Sequence, residues 1–273
     1  MDRARMKTFV LCLLLAVNLT FLSLLIADRL QEARLESAAK EELIQVLQTL
    51  GISLSYEAIP PTEEQAIYLL FRDIEAEGQV ADRILIHPEA RAEGGGIYHY
   101  FSAGGTAQFR TGSFHFDFGD YRLSPGENLQ SVGDDMLERL GFQGHPFILR
   151  GDAQTGEITY IPTIDGFLVM GSQVVLRFSY GNLQEVSGPS LWGTRQRFAA
   201  GEQMDVTTAL VRLAGHLYGR DPAPSQFASV QMGYYLLEGA GYLELRPVWI
   251  VNTDGGLFSV DRQSGEIWEE RRT

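Results

Sequence analysis

Histidines with a nearby carboxylate are the first residues in this sequence whose types could do chemistry. His99 and His115 fall in two neighbouring predicted strands, and Asp117 follows two residues after His115. Imidazole and carboxylate groups hold zinc in many proteins, so the three form a candidate metal site. The alternative is that they are polar positions on the outer face of a sheet. Residues 113–118 favour this alternative, because phenylalanine alternates there with His115 and Asp117, as on a strand with one apolar face.

The carboxylates and glycines form no recognisable catalytic motif. Asp134, Asp135 and Glu138 share one predicted helix, where we expect a solvated face, and Asp117 and Asp120 follow an aromatic strand, as the acids of some glycosidases do. No spacing selects two of them for acid and base roles. The chain also lacks a phosphate-binding glycine loop, a GxSxG elbow, an HExxH helix and an SxxK motif. The tryptophans either line a sugar groove or pack in the core: Trp192, Trp249 and Trp268. We therefore expect no enzyme activity, no cofactor and no metal.

The charge balance of the chain excludes nucleic acid as a partner. Its 273 residues include 22 basic and 35 acidic ones, a net charge of −13. Three of the basic residues and one of the acids precede residue 8, so the rest of the chain carries −15. A surface of this sign has no electrostatic footprint for nucleic acid, and anionic lipid repels it. The single cysteine, Cys12, allows no disulfide within one chain.

An uncharged segment near the N-terminus predicts a membrane anchor. Residues 8–27 hold no charge, and as a helix they span about 30 Å, the thickness of the hydrocarbon core. Because basic residues precede the segment, the positive-inside rule makes residues 1–7 a cytoplasmic start and the rest extracytoplasmic. A cleaved signal peptide is the alternative, but its apolar run is usually about 7–15 residues. We therefore expect a single-pass protein of the cell membrane.

Three polar residues inside the anchor are candidates for contact with a second membrane helix. They are Asn18, Thr20 and Ser23. In lipid, an amide or hydroxyl group prefers a hydrogen-bond partner on another helix over hydrocarbon. The alternative is that an isolated anchor tolerates single polar residues.

The remaining sequence predicts an α+β fold, with an antiparallel sheet and a few packed helices. Apolar residues at three- and four-residue spacing predict a stalk helix over 28–51 that docks on the outer domain. A strand-rich subdomain follows over 52–123. Residues 124–200 and 201–273 each read as a helix plus a sheet, with helices capped by Ser124 and Asp205. A continuous strand is expected over Phe167–Tyr180, and Gly181-Asn182 is expected to turn it into the next.

A short repeat suggests that the last two segments are related halves. Residues 152–158 read DAQTGEI and residues 261–267 read DRQSGEI, an offset of 109. The physical role of such a motif is a turn, in which Asp caps backbone N–H groups and Gly adopts a positive φ. Turns of this kind also arise by convergence, so two interpretations stay open, a duplication and a recurring turn.

Two stretches carry a resemblance to a known family. They are LQTLGISLSYEAIP (Leu47 to Pro60) and LELRPVWIVNTDGGLFSVDRQSGEI (Leu243 to Ile267). With the anchor and stalk before them, they resemble the YycI family and its sister YycH, accessory regulators of a cell-wall sensor kinase in Gram-positive bacteria. The resemblance implies a two-component regulatory protein in cell wall homeostasis. Its expected partners are a WalK/YycG-type histidine kinase, reached through the membrane helix and the outer domain, and a YycH-like protein. The alternative is a membrane-tethered module that binds cell-wall or peptide ligands through its sheet face.

Overall fold

The structure, a computed structural model, describes residues 18, 20–22, 31, 35, 37–122, 128–151, 155–198 and 201–270. This part contains four α-helices and one 3-10 helix, Tyr56–Ala58. The α-helices are 37–49 (α1), Ile74–Ile84 (α2), Leu129–Leu140 (α3) and Val206–Leu217 (α4). Together with the sheet described next, they confirm the α+β class.

Sixteen strands form one mixed sheet. They are Ser53–Leu54 (β1), Ile67–Phe71 (β2), Glu89–Ala92 (β3), Tyr98–Ser102 (β4), Gly105–Arg110 (β5), Ser113–Arg122 (β6), Gln143–Gly151 (β7), Gly156–Ile164 (β8), Phe167–Met170 (β9), Val174–Ser179 (β10), Asn182–Pro189 (β11), Thr194–Phe198 (β12), Gln226–Glu238 (β13), Tyr242–Thr253 (β14), Gly256–Asp261 (β15) and Ile267–Glu270 (β16).

The sheet is longer and less regular than the predicted antiparallel one. Its main path runs β12-β2-β14-β13-β9-β8-β10-β11-β6-β5-β4-β3. Most neighbours are antiparallel, but β13 pairs in parallel with β9 and with β1. Because β14 is long, it pairs with β2 at its start and with β15 further on. The expectation of a purely antiparallel sheet was therefore wrong, since β9 joins the two parts of the sheet through a parallel pair.

Two hydrophobic cores lie on one face of the sheet. The first packs α2 and α3 against strands β4–β6, β8, β10 and β11, and it includes Leu243 and Leu245 of β14. The second packs α1 and α4 against β13–β15, with Trp249 and Phe258 fully buried at its centre. The alternation of β14 explains why it contributes to both cores, because odd-numbered residues from Leu243 to Val251 point to the face that the helices cover. Leu243 and Leu245 join the first core, and Trp249 and Val251 join the second.

A third, smaller core lies on the opposite face of β14. It contains Val248 and Ile250 together with Ile161 and Met170 from β8 and β9. The division of the outer part into three segments, 52–123, 124–200 and 201–273, stays a prediction. Their residues share one sheet, and the first core draws on all three.

Helix α2 and the start of α3 differ from the sequence-based expectation. No helix was expected over Ile74–Ile84, yet Asp73 caps one there by accepting from the N–H groups of Glu75 and Ala76. The helix expected from Ser124 to about Leu140 begins later, at Leu129, because Asn128 is extended and its side chain accepts from the Ser131 N–H. Residues 123–127 lie outside the described part.

The predicted strand Phe167–Tyr180 is two strands. Gly171 interrupts it at φ +67°, and the ring of Tyr235 approaches so closely that a Cβ there would lie 2.9 Å from it. The following turn is also displaced by one residue. Ser179 pairs with Asn182, so Tyr180 and Gly181, at φ 52° and 72°, form the two-residue turn instead of Gly181-Asn182.

Both copies of the repeated motif lie at hairpin turns, between β7 and β8 and between β15 and β16. In the second copy Asp261 accepts from the Gln263 and Ser264 N–H groups, and Gly265 has φ +70°, which confirms the turn chemistry. Residues 152–154 lie outside the described part. At the same offset the strands beside the turns also correspond, since β7 and β8 shifted by 109 positions fall on 252–260 and 265–273, over β15 and β16. Helix α3 shifted in the same way falls on 238–249, where it meets the end of β13 and most of β14 instead of a helix. Both interpretations, a duplication and a recurring turn, stay predictions.

Candidate functional site

The predicted stalk helix is helical at residues 31, 35 and 37–49, and its end is part of the outer domain. Leu43 and Leu47 are 1% and 0% exposed and belong to the second core. They lie four residues apart, so they share one face of α1 and meet Leu213 and the other apolar residues of α4 there. The chain that leaves the proposed membrane segment is therefore fixed in the domain core.

The end of α1 is fastened to the sheet. The carbonyl of Leu47 accepts from the N–H groups of Leu50 (3.0 Å) and Ile52 (2.9 Å), around Gly51 at φ +78°. This is the left-handed helix ending that glycine permits. The Ser53 N–H then donates to the Ser225 carbonyl at 2.8 Å, where β1 joins β13. Movement of α1 would therefore displace the start of β13.

Helix α4 ends beside the same point. Its start is fixed by Asp205, which accepts from the Thr208 N–H at 2.7 Å. At its end Gly219 has φ +83°, and the Arg220 N–H returns to the Leu217 carbonyl. The loop to β13 is held by Asp254, which accepts from both the N–H and the hydroxyl of Ser225. These hydrogen bonds lower the pKa of the Asp254 carboxyl.

Between these two helix ends lies an apolar cleft of about 330 Å³, which we call the helix-end cleft. That volume is at the lower end of the range for small-ligand sites, about 300–1,000 Å³. Most of its lining is apolar, so a ligand's apolar group would be buried there. The lining residues are Leu50, Ile52, Ala214, Leu217, Tyr218, Gly219, Arg220, Ala223 and Pro224.

Arg220 supplies the charge in this lining. Its Nη1 lies 2.9 Å from Glu269 Oε2, its Nη2 lies 2.9 Å from His216 Nε2, and its guanidinium stands over the Phe258 ring. Since arginine only donates, His216 accepts through Nε2. The Arg220 and Glu269 side chains are each more than one-third exposed. An ion pair at such a site contributes only about 0–1 kcal/mol, so Arg220 can exchange Glu269 for the carboxylate of a ligand at little cost.

A second buried polar cluster fixes the start of α4. Arg262 is buried, stands over the Trp249 ring, and donates to the Gln65 side chain and to the Glu63 carbonyl. Burial lowers the pKa of Arg262. The Trp249 indole donates to the carbonyl of Met204, just before α4. The cluster ties the extended segment before β2 to the base of the second core, and we assign it a structural role.

Two of the three predicted membrane contacts belong to the described residues. Asn18 and Thr20 are helical and exposed, whereas Ser23 lies outside the described part. Among the helices that the structure describes, none combines the length and the apolar character that crossing a bilayer requires. Most of the predicted span 8–27 falls outside those residues. The anchor and its contacts stay predictions.

The histidine site predicted as an alternative does not assemble. His99 and His115 both flank Gln108, because β5 lies between β4 and β6. His99 contacts Gln108 and Glu93, while His115 contacts Glu185 at 3.2 Å. Within the described ranges, no three side chains of metal-ligating type come together. The expectation that the two histidines lie on adjacent strands was wrong.

The other sequence candidates are also dispersed. Trp249 belongs to the second core, Trp192 stacks on Phe142 beside the first, and Trp268 stacks on Tyr235 at 4.1 Å. They form no common groove. The residues of the helix-end cleft were missed. The signal that could have found them is the pair of helix-ending glycines, Gly51 and Gly219, each next to exposed apolar residues.

Comparison with known proteins adds little to this site. No family profile matches the chain, and no curated protein matches it. One solved structure similar to this chain is the C-terminal domain of YpeB from Bacillus megaterium. The likeness covers 74% of this chain and 99% of that one, with 9% identity and a TM-score of 0.38. At that level it assigns neither a family nor a function to this protein.

Proposed function

We propose that this protein is a membrane-anchored, extracytoplasmic regulator of a two-component system, acting on a sensor histidine kinase of the WalK/YycG type. The observation that carries the proposal is the burial of Leu43 and Leu47 in the second core. Because α1 follows the apolar segment 8–27 and is fixed in the outer domain, a change in that core would move the membrane segment. The YycI-like stretches, Leu47 to Pro60 and Leu243 to Ile267, support the choice of partner.

The polar residues of the membrane segment supply the contact in this proposal. At about 100° per residue, Asn18 and Thr20 lie about 200° apart around a helix. A single neighbouring helix therefore does not contact both. We assign the two faces to two partners, the kinase and a YycH-like protein, with Ser23 closer to the face of Thr20.

Crosslinking in the membrane tests this assignment. A photoreactive residue is placed at position 18 or at position 20 of the full chain, and the captured proteins are identified by mass spectrometry. Capture of a sensor kinase from one of the two positions is the expected result. Capture of only this protein, or of nothing, from both positions would refute the helix-contact mechanism.

The helix-end cleft favours a second candidate, a membrane-tethered module for peptide or cell-wall ligands. Its apolar lining and Arg220 fit a ligand with an apolar group next to a carboxylate. Ala223 lines the cleft and is exposed, so Ala223→Trp would fill it from outside, whereas Ala223→Ser would leave it open. Binding of carboxylate-bearing wall peptides to the full chain should be lost in the first variant and kept in the second. Equal binding by both variants would exclude the helix-end cleft as the binding site for these peptides.

A further inference from the structure

Strand β12 is an open edge of the sheet. It ends the main path and pairs with β2 from Thr194, opposite Phe71, to Phe198, opposite Ile67. No other described strand pairs with it, and all five of its residues are exposed. Its outer N–H and C=O groups are therefore available for a further strand.

The two faces of β12 differ in chemistry. Arg195 and Arg197 point to one face, and Phe198 points to the other together with Thr194 and Gln196. Arg195 pairs with Asp165 at 2.7 Å, while Arg197 makes no ion pair with any described residue. Phe198 is 42% exposed, and Phe71 on the neighbouring strand, which shares its face, is 38% exposed. An added strand would lie beside two cations on one face and the exposed Phe198 ring on the other.

Charge decides which kind of strand fits. In a chain of net charge −13, this strand itself carries two positive charges and no negative one, and Asp165 pairs with only one of the two, Arg195. A second copy in antiparallel register about Gln196 would place Arg195 opposite the other copy's Arg197, and like charges in opposed positions are destabilising. The arginines therefore disfavour pairing between copies and favour acidic residues opposite them.

We propose that β12 is a docking edge for an acidic, extended segment of a partner protein, which adds to the sheet as a further strand. Acidic residues at alternate positions would face Arg195 and Arg197. Apolar residues between them would lie beside Phe198. Main-chain hydrogen bonds supply affinity in this mode of recognition, and alternate side chains supply specificity. The surface is separate from the helix-end cleft and does not depend on the proposed kinase partner.

Short synthetic peptides test the proposal on the full chain in lipid nanodiscs. The probes are an alternating Glu-Val hexapeptide, an alternating Lys-Val hexapeptide, and the Glu-Val peptide N-methylated along one edge. We expect binding of the first only, with weaker binding at high salt and slower amide exchange over 194–198. Binding of the N-methylated peptide with unchanged affinity would overturn strand addition, as would failure of the Glu-Val peptide to bind.

Charge reversal supplies the matched variants. R195E/R197E should weaken binding of the Glu-Val peptide about ten-fold or more, since two attractive pairs become two repulsive ones. The same variant should bind the Lys-Val peptide. R197E alone should show a smaller change in the same direction, and it keeps the Arg195–Asp165 pair if the double variant fails to fold. Arg91→Glu on β3, the edge strand at the other end of the path, is the control and should change nothing. Equal effects at both edges would overturn the proposal.

Discussion

Replacing Leu47 by alanine should release α1 from the outer domain. Leu47 is fully buried, so the variant loses the whole transfer free energy of the removed atoms and leaves a cavity between α1 and α4. Substitutions of a buried leucine by alanine lower the free energy of unfolding by about 2–5 kcal/mol. A cost of about 3 kcal/mol lowers the equilibrium constant for α1 docking about a hundred-fold, at about 1.4 kcal/mol per factor of ten.

The matched control is Val46→Ala on the same helix. Val46 is 37% exposed, so the control removes atoms that remain largely in contact with water, and we expect a change of about 0.5 kcal/mol or less. Both variants introduce alanine, the residue with the highest helix propensity, so neither weakens α1 itself. A difference between them therefore reports the loss of packing on the buried face of α1.

Amide hydrogen exchange on the full chain measures the difference. In Leu47→Ala, residues 43–52 should exchange faster by a factor that approaches a hundred, while β4–β6 keep their protection. If the proposed function holds, the same variant should lose regulation of the sensor kinase while the protein stays in the membrane fraction. Equal exchange in the two variants, or regulation unaffected by Leu47→Ala, would refute the view that α1 couples the core to the anchor.

Three further predictions concern stability. Tyr180→Asn should raise the free energy of unfolding by about 1 kcal/mol in urea titrations, because Tyr180 has φ 52° and asparagine tolerates a left-handed turn better; an unchanged midpoint would contradict this. Glu77→Gln leaves the guanidinium of Arg72 without its buried carboxylate, 2.7 Å away, and should lower the free energy of unfolding by about 3–5 kcal/mol. The double variant Arg72→Met with Glu77→Leu should recover part of this loss. Unchanged stability of Glu77→Gln would exclude a buried ion pair. Burial raises the pKa of Tyr234 to about 12, so stability should hold below about pH 10 and fall by about 2–3 kcal/mol toward pH 12; Tyr234→Phe should reduce that loss, and an identical alkaline profile would show that Tyr234 does not cause it.

Local patterns in the sequence predicted the helix and strands whose signals are contained within a few residues. The Asp205 cap and the apolar spacing after it placed α4 correctly, because capping and amphipathic periodicity act within one or two turns. The alternation after Gln173 likewise predicted β10, since Val174, Leu176 and Phe178 all point to the first core. The glycine after each of α1 and α4 marked its end for the same local reason.

Helix α2 shows why another part could not be predicted. Its sequence, IEAEGQVADRI, places Val80, Ala81 and Ile84 against the first core, but Glu, Asp and Gly residues stand between the apolar ones. Its inner face also buries Glu77, a residue that a sequence pattern assigns to solvent. Glu77 is buried because Arg72, from the end of β2, reaches it with two hydrogen bonds. The partner that makes the burial favourable is identified only once the chain has folded.

The sequence by itself determined the charge of the protein, the apolar segment 8–27, the α+β class and the helix that follows this segment, because each depends on composition or on short-range periodicity. Tertiary structure alone decided that β9 joins one continuous sheet, that two helix ends enclose a cleft, and that β12 is left as an open edge. Strand order and edges depend on contacts between residues far apart in the chain. Such contacts are selected by the total burial of the fold, which no local pattern records.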